Sequence, residues 1–211
     1  MTVRGGRPAL TADEVEQRRE AILSAVLEQI SERGTAGVRM KDVARAAGMS
    51  IGTIQYYFDS REALVLAAYR RHSENVVSRV KSPFPGEGDP WEGLRRTLHE
   101  FLHVADFTMR TRLWIEFVAA SARDDQLLEL LDSVFLTWKQ VVREVVDAGV
   151  ADGTFSPRVD PEVAVDALLA QLDGFEIAHA IGSRGTDVER IELVLQQTAR
   201  ALLGVEPSHP E

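Results

Sequence analysis

Apolar residues recur at three- and four-residue intervals over most of the chain, the period of one face of an α-helix. Ile22, Val26, Leu27 and Ile30 form the first such stripe. Thr11 followed by Asp13 and Glu14 supplies a capping hydroxyl and first-turn acids ahead of it, and Gly34 closes it. Two short segments follow, from about Met40 to Ala47 and then through Phe58, separated by Gly48-Met49-Ser50. Asp59 and Ser60 cap a longer helix predicted from Arg61 toward Val80. From Ser82 to Pro90, three prolines and two glycines remove backbone donors and raise backbone entropy, so the helical pattern breaks there. Beyond the break, helices are predicted at about 91–105, 108–122, 125–148, 161–182 and 187–203, separated by Gly153, Pro157, Pro161, Gly182 and Gly185. No strand, repeat or low-complexity tract stands out, and the expected fold class is all-α.

Composition narrows this picture modestly. The 211 residues, 45% hydrophobic and 27% charged, suffice for one large domain or a small one fused to a larger. With no cysteine, disulfides and thiolate zinc sites are excluded, which fits a cytoplasmic location. The N-terminal Arg4-Gly5-Gly6-Arg7-Pro8 lacks the apolar core of a signal peptide, and no run approaches the ~18 apolar residues of a membrane span, so no membrane partner is expected. The net charge of -9 is unevenly spread: residues 1–61 hold nine Lys and Arg against eight Asp and Glu, leaving -10 for the remainder. A phosphate-facing surface is therefore permitted at the front of an acidic body.

The uncharged stretch "AAGMSIGTIQYYF" (46–58) carries the main chemical signal. Ala44, Gly48 and Ile54 have the spacing of a helix-turn-helix: a small residue for close crossing, a glycine for a turn with positive φ, and a branched anchor. An αα-hairpin without a DNA role shares that spacing, so the outward side chains must decide. With Ile54 and Phe58 inward, Thr53 and Tyr56 face outward, flanked by Ser50 and Gln55. Glutamine bonds adenine bidentately, serine and threonine serve bases or phosphates, and a tyrosine hydroxyl donates to phosphate oxygen. Arg39, Lys41, Arg45 and Arg61 place cations at the ends of the two short helices.

The segment "MKDVARAAGMSIGTIQYYFDSREAL" resembles the DNA-binding segment of the TetR family of bacterial transcriptional regulators, over about residues 14–66. The resemblance implies a homodimer of about nine helices per chain, with an N-terminal helix-turn-helix domain (1–60) and a ligand-binding and dimerisation domain (61–211). It assigns DNA-facing positions to Lys41 and Thr53 and phosphate contacts to Tyr57 and Arg61. Gln55 stands where the family most often has tyrosine, and Arg39 where a threonine commonly caps the second helix. Residues 113–203 are similar to the C-terminal domain of the BetI-like branch, whose namesake responds to choline. The implied activity is regulation from a roughly palindromic operator on double-stranded DNA, more in keeping with a repressor than an activator, with release by a small-molecule effector and no catalysis or cofactor. Arg4 and Arg7 partly resemble an arm that enters the minor groove.

Two further patterns are open. His99-Glu100-Phe101-Leu102-His103 satisfies the H-E-x-x-H pattern of zinc peptidases, although Asp106 and Met109 stand where an extended metzincin pattern requires glycine and histidine. A zinc hydrolase is thus the alternative activity; the default is that the histidines line a pocket and no metal is held. Aromatic residues recur through the C-terminal body, mostly as core, and a ligand cavity among them needs a few polar groups. The candidate ligand contacts are His103, Trp114, Glu116, Phe117, Trp138, Asp173 and His179. A regulator with no small-molecule ligand is the remaining alternative. The last two helices carry Val163, Val165, Leu168, Leu169 and Leu172, then Ile191, Val194, Leu195, Ala199 and Leu202, for core and partner chain together.

Overall fold

A computed structural model describes residues 11–81, 88–103 and 106–205. Among these are nine α-helices and no strand: α1 (Ala12–Arg33), α2 (Met40–Ala46), α3 (Ile51–Tyr57), α4 (Arg61–Lys81), α5 (Pro90–His103), α6 (Phe107–Ser121), α7 (Asp125–Asp152), α8 (Pro161–Ala180) and α9 (Val188–Leu203). A 3₁₀ turn at Thr35–Gly37 precedes α2. The all-α expectation and the helix order hold. The Arg4 and Arg7 arm and most of the proline-rich break lie outside the described residues. The chain divides into two compact units, Met1–Tyr69 and Arg70–Glu211, with the division inside α4.

In the first unit the caps form as their sequence requires. Thr11 accepts the amide of Glu14 while the Glu14 carboxylate accepts the Thr11 amide at 2.8 Å, satisfying two otherwise orphaned donors. The core is Ile22, Leu23, Val26, Ile30, Val38, Val43, Ala44, Ile54, Phe58 and Leu64. Gly48 takes φ +65°, and the Met49 amide donates to the Ala44 carbonyl at 2.8 Å, closing α2 before α3 begins. The expected anchors Ile54 and Phe58 are both buried.

In the second unit α8 packs against α6, α7 and α9, and α5 against α7 and α9. Leu94, Leu98, Leu102, Val145, Val146, Val165, Leu168, Ile191 and Leu195 fill the space between them. α7 runs four residues beyond its predicted end, through Gly149. The Phe155 ring lies where a side chain at 149 would stand, 2.3 Å from an ideal Cβ, and the Phe155 amide donates to the Gly149 carbonyl at 2.8 Å. The glycine admits the ring, and the helix ends instead at Gly153 in the left-handed region.

The last two helices divide their apolar residues between interior and surface. Val165, Leu168, Leu172, Ile191, Leu195 and Ala199 are buried within the chain. The outward stripe of α8 is Val163, Ala167, Ala170, Gly174 and Ile177, continued by Ile181 at its C-cap, with Leu193 exposed on α9.

Candidate functional site

α3 begins at Ser50, whose hydroxyl accepts the Thr53 amide at 3.0 Å and lies 2.9 Å from the Thr53 hydroxyl. These two predicted contacts therefore also hold the start of the helix. With Ile54 buried beneath them, Gln55 and Tyr56 face solvent, Tyr56 at 82% exposure. Ile51, in the first turn of α3, is also exposed, an apolar group of the kind that meets a thymine methyl. Tyr57 behaves otherwise: its ring meets that of Tyr56 edge-on at 5.4 Å, and its hydroxyl is buried without a hydrogen-bond partner. A phosphate contact from Tyr57 requires the ring to turn outward.

The cations also differ among themselves. Arg39 and Lys41 are exposed at the start of α2, and Arg39 caps it with no side-chain hydrogen bond. Arg45 pairs with Asp42 at 3.3 Å. Arg61 is half-buried: Nε donates to the Val38 carbonyl at 2.9 Å, a second nitrogen donates to the Thr35 carbonyl, and the third meets Glu62 at 3.3 Å. Arg61 thus ties the first turn of α4 to the turn before α2, a structural duty that the motif did not reveal.

The second unit holds a pocket lined largely by aromatic and apolar side chains, with His72 and Ser73 from α4 in its wall. Of the predicted ligand contacts, Trp114, Phe117, Trp138 and Asp173 line it together. Glu116 is not among the lining residues. His179 is held elsewhere, its Nδ1 2.6 Å from the Thr186 carbonyl and Nε2 3.1 Å from the Thr108 hydroxyl. His103 stands on the outer face of α5, beside Glu192.

Arg110, Glu176, His72 and Phe135 were missed as lining residues. The signal was present for two of them. Phe107, Arg110, Trp114 and Phe117 share one stripe of α6, and Leu169, Leu172, Asp173 and Glu176 share one stripe of α8, so Arg110 and Glu176 interrupt otherwise inward faces.

Arg110 and Glu176 form a buried pair at 3.4 Å, with the guanidinium carbon 4.0 Å from the Phe101 ring centroid and 4.9 Å from that of Phe107. Burial raises the Glu176 carboxyl, against the pull of Arg110. Burial and then the neighbouring Arg110 charge lower the His72 imidazole to about 4, so it is neutral at physiological pH. Desolvation raises the Asp173 carboxyl to about 6, partly offset by the hydrogen bond from Trp114. Among the described residues Asp173 has no ion-pair partner, so the pocket offers one carboxylate beside aromatic faces.

Residues 22–68 match the family model for bacterial regulatory proteins of the tetR family, and residues 90–204, more than half the chain, match that for the C-terminal domain of BetI-type transcriptional repressors. The chain belongs to the TetR family. It is a helix-turn-helix transcriptional regulator with a BetI-type C-terminal domain. The regulator is 29% identical to the repressor KstR of Rhodococcus jostii, over 98% of this chain and 92% of that one. It is 24% identical to BetI of Rhizobium meliloti, over 82% of each chain. A regulator from Saccharomonospora viridis solved in complex with choline aligns at TM-score 0.79 and 25% identity, covering 86% of this chain and 95% of the other. FadR of Bacillus subtilis in complex with stearoyl-CoA shares the fold, with TM-score 0.73, 15% identity, and coverage of 89% and 99%. These matches lend nothing to a zinc hydrolase at His99, Glu100 and His103. No helix among the described residues is long and apolar enough to cross a membrane.

Proposed function

We propose that this regulator is a cytoplasmic homodimeric repressor, without catalytic activity, that leaves a roughly palindromic operator when a small organic cation occupies the aromatic pocket. The observation that carries the ligand class is Asp173, a carboxylate without an ion-pair partner in a pocket that it shares with Trp114, Phe117 and Trp138. Aromatic faces attract a weakly hydrated cation, and the carboxylate supplies its counter-charge in a low-dielectric setting. The choline complex of the Saccharomonospora relative supports the same chemistry.

For DNA, residues 1–60 serve as the reading domain and residues 61–211 as the ligand and dimer domain. Gln55, Tyr56 and Thr53 address base edges; Arg39, Lys41 and Ser50 address the backbone, with Tyr57 and Arg61 joining only after leaving their present partners or burial. Pairing through α8 and α9 is supported by the outward α8 stripe, whose residues fall at alternating four- and three-residue steps, the seam spacing of two helices packed side by side. Half-sites then lie about one helical turn of DNA apart, or more. Because α4 begins at Arg61 and supplies His72, Ser73 and Val76 to the pocket wall, a ligand that shifts this helix changes the presentation of α3.

The test is an operator-binding titration at fixed salt with choline as probe, beside its neutral isostere in which carbon replaces nitrogen. Choline is expected to weaken operator binding, the isostere to have little effect, and Asp173→Asn to abolish the difference. Equal effects of the two probes refute the cation reading. Absence of any effect from either favours a regulator without a small-molecule ligand of this class.

A further inference from the structure

We propose that His99, His103 and Glu192 form a binding site for a divalent transition-metal ion, Zn²⁺ foremost, that pins α9 to α5 on the outer face of the second unit. The two histidines are one helical turn apart on α5, with ring centroids 4.2 Å from each other. Glu192, in the first half of α9, brings its carboxylate between them: Nδ1 of His99 is 3.3 Å from either carboxylate oxygen, and Nε2 of His103 is 3.4 Å from Oε2. The potential ligand atoms of all three residues lie within 4.8 Å of one another.

These separations suit a shared metal ion. An N–H to carboxylate hydrogen bond settles near about 2.8 Å, so 3.3–3.4 Å is long for one. Two ligands bound at about 2.05 Å around a tetrahedral zinc ion stand about 3.3 Å apart. Both histidine-to-carboxylate distances therefore match the edge of a zinc tetrahedron, and the two imidazole nitrogens lie within 4.8 Å of each other. The donor set, two imidazoles and one carboxylate, suits zinc with a fourth position left for water, and disfavours calcium and magnesium, which take oxygen ligands.

The surroundings fit the same assignment. Gln196, one turn beyond Glu192, donates its amide to Glu192 Oε1 at 3.0 Å and holds the carboxylate in orientation, the outer-shell role that ligating carboxylates commonly require. Two arginines line the same groove: Arg95 is neutralised by Glu92, with its nitrogen 2.8 Å from both carboxylate oxygens, and Arg96 is exposed, where water screens its charge. His99 and His103 are 53% and 41% exposed and Glu192 19%, so an ion enters directly from solvent onto a carboxylate already held in place. Glu100 is not part of the cluster, and the site is proposed to hold helices together, not to hydrolyse a substrate.

The experiment uses the full-length protein stripped with chelator and titrated with Zn²⁺ against a chromogenic competitor, with Co²⁺ as a spectroscopic probe. One ion per chain is expected, with the intense visible absorption of four-coordinate Co²⁺. Glu192→Gln is expected to weaken binding by about 100-fold, and Gln196→Ala by about 10-fold, as outer-shell losses do. Circular dichroism of each variant confirms that it folds. Absence of one-to-one binding, a six-coordinate Co²⁺ spectrum, or binding indifferent to Glu192→Gln overturns the site.

Discussion

Asp173→Asn should make the regulator more stable while disabling its pocket. Burial holds the Asp173 carboxyl at about 6 in the folded chain against 3.8 unfolded, a rise of about two pH units. At about 1.36 kcal/mol per unit, this amounts to about 3 kcal/mol of penalty for carrying the charge. Asp173 is only half-buried, and water screening cuts that to about 1–2 kcal/mol. The sign follows from proton linkage: the folded state holds its proton more tightly than the unfolded one, so stability is fullest below about pH 4 and falls as pH rises through 6. Asparagine removes the charge and keeps an oxygen to accept the Trp114 indole N–H. Urea denaturation is the assay, followed by tryptophan fluorescence, since Trp91, Trp114 and Trp138 are the chain's three tryptophans and all lie in the second unit. At pH 7.5 the variant should gain about 1–2 kcal/mol at unchanged denaturant slope, with about half of the gain gone by pH 5. A variant that is destabilised at pH 7.5, or whose gain is the same at both pH values, refutes the reasoning.

Three other outcomes are expected. Gln55→Ala and Tyr56→Ala should each lower affinity for the preferred operator by about tenfold or more and relax base preference, in titrations at fixed salt. Arg61→Met removes the guanidinium donors to the Thr35 and Val38 carbonyls, leaving the Thr35 carbonyl with the Val38 amide, and should lower stability by about 1–3 kcal/mol, measured by thermal denaturation. Ile181→Glu, at the C-cap that continues the α8 stripe (73% exposed), should shift the protein toward monomer in sedimentation velocity without loss of helicity.

Most of the fold was legible because periodicity, caps and breakers act locally. Thr11, Gly48, Ser50 and Gly153 each perform in the structure the duty that their chemistry suggests. Local rules failed where a distant group intervened. α7 runs past its predicted end near 148, and the Phe155 ring packs where a Cβ at Gly149 would stand. Arg61 and Tyr57 match a phosphate-contacting pattern, but that pattern did not reveal that, in the chain without DNA, one is bound to carbonyls and the other has its hydroxyl buried. Pocket aromatics were easier to find than pocket charges, since Arg110 and Glu176 look like solvated residues until each is set on its helical face. The Glu192 carboxylate beside His99 and His103 lies about ninety residues away in sequence, beyond any local pattern.

Gly174 sits within α8 on its outward stripe, between Ala170 and Ile177, and a Cβ built there meets nothing within 4 Å. Glycine inside a helix forfeits about 1 kcal/mol relative to alanine. No neighbour in its own chain demands that loss. Under the proposed α8 pairing, the bare backbone leaves room for the partner's helix to come close, which a lone protomer cannot use. On that proposal, selection for a sturdier single chain and selection for a tighter pair pull position 174 in opposite directions, and a variant library ranked by monomer melting temperature would enrich the residue that spoils assembly.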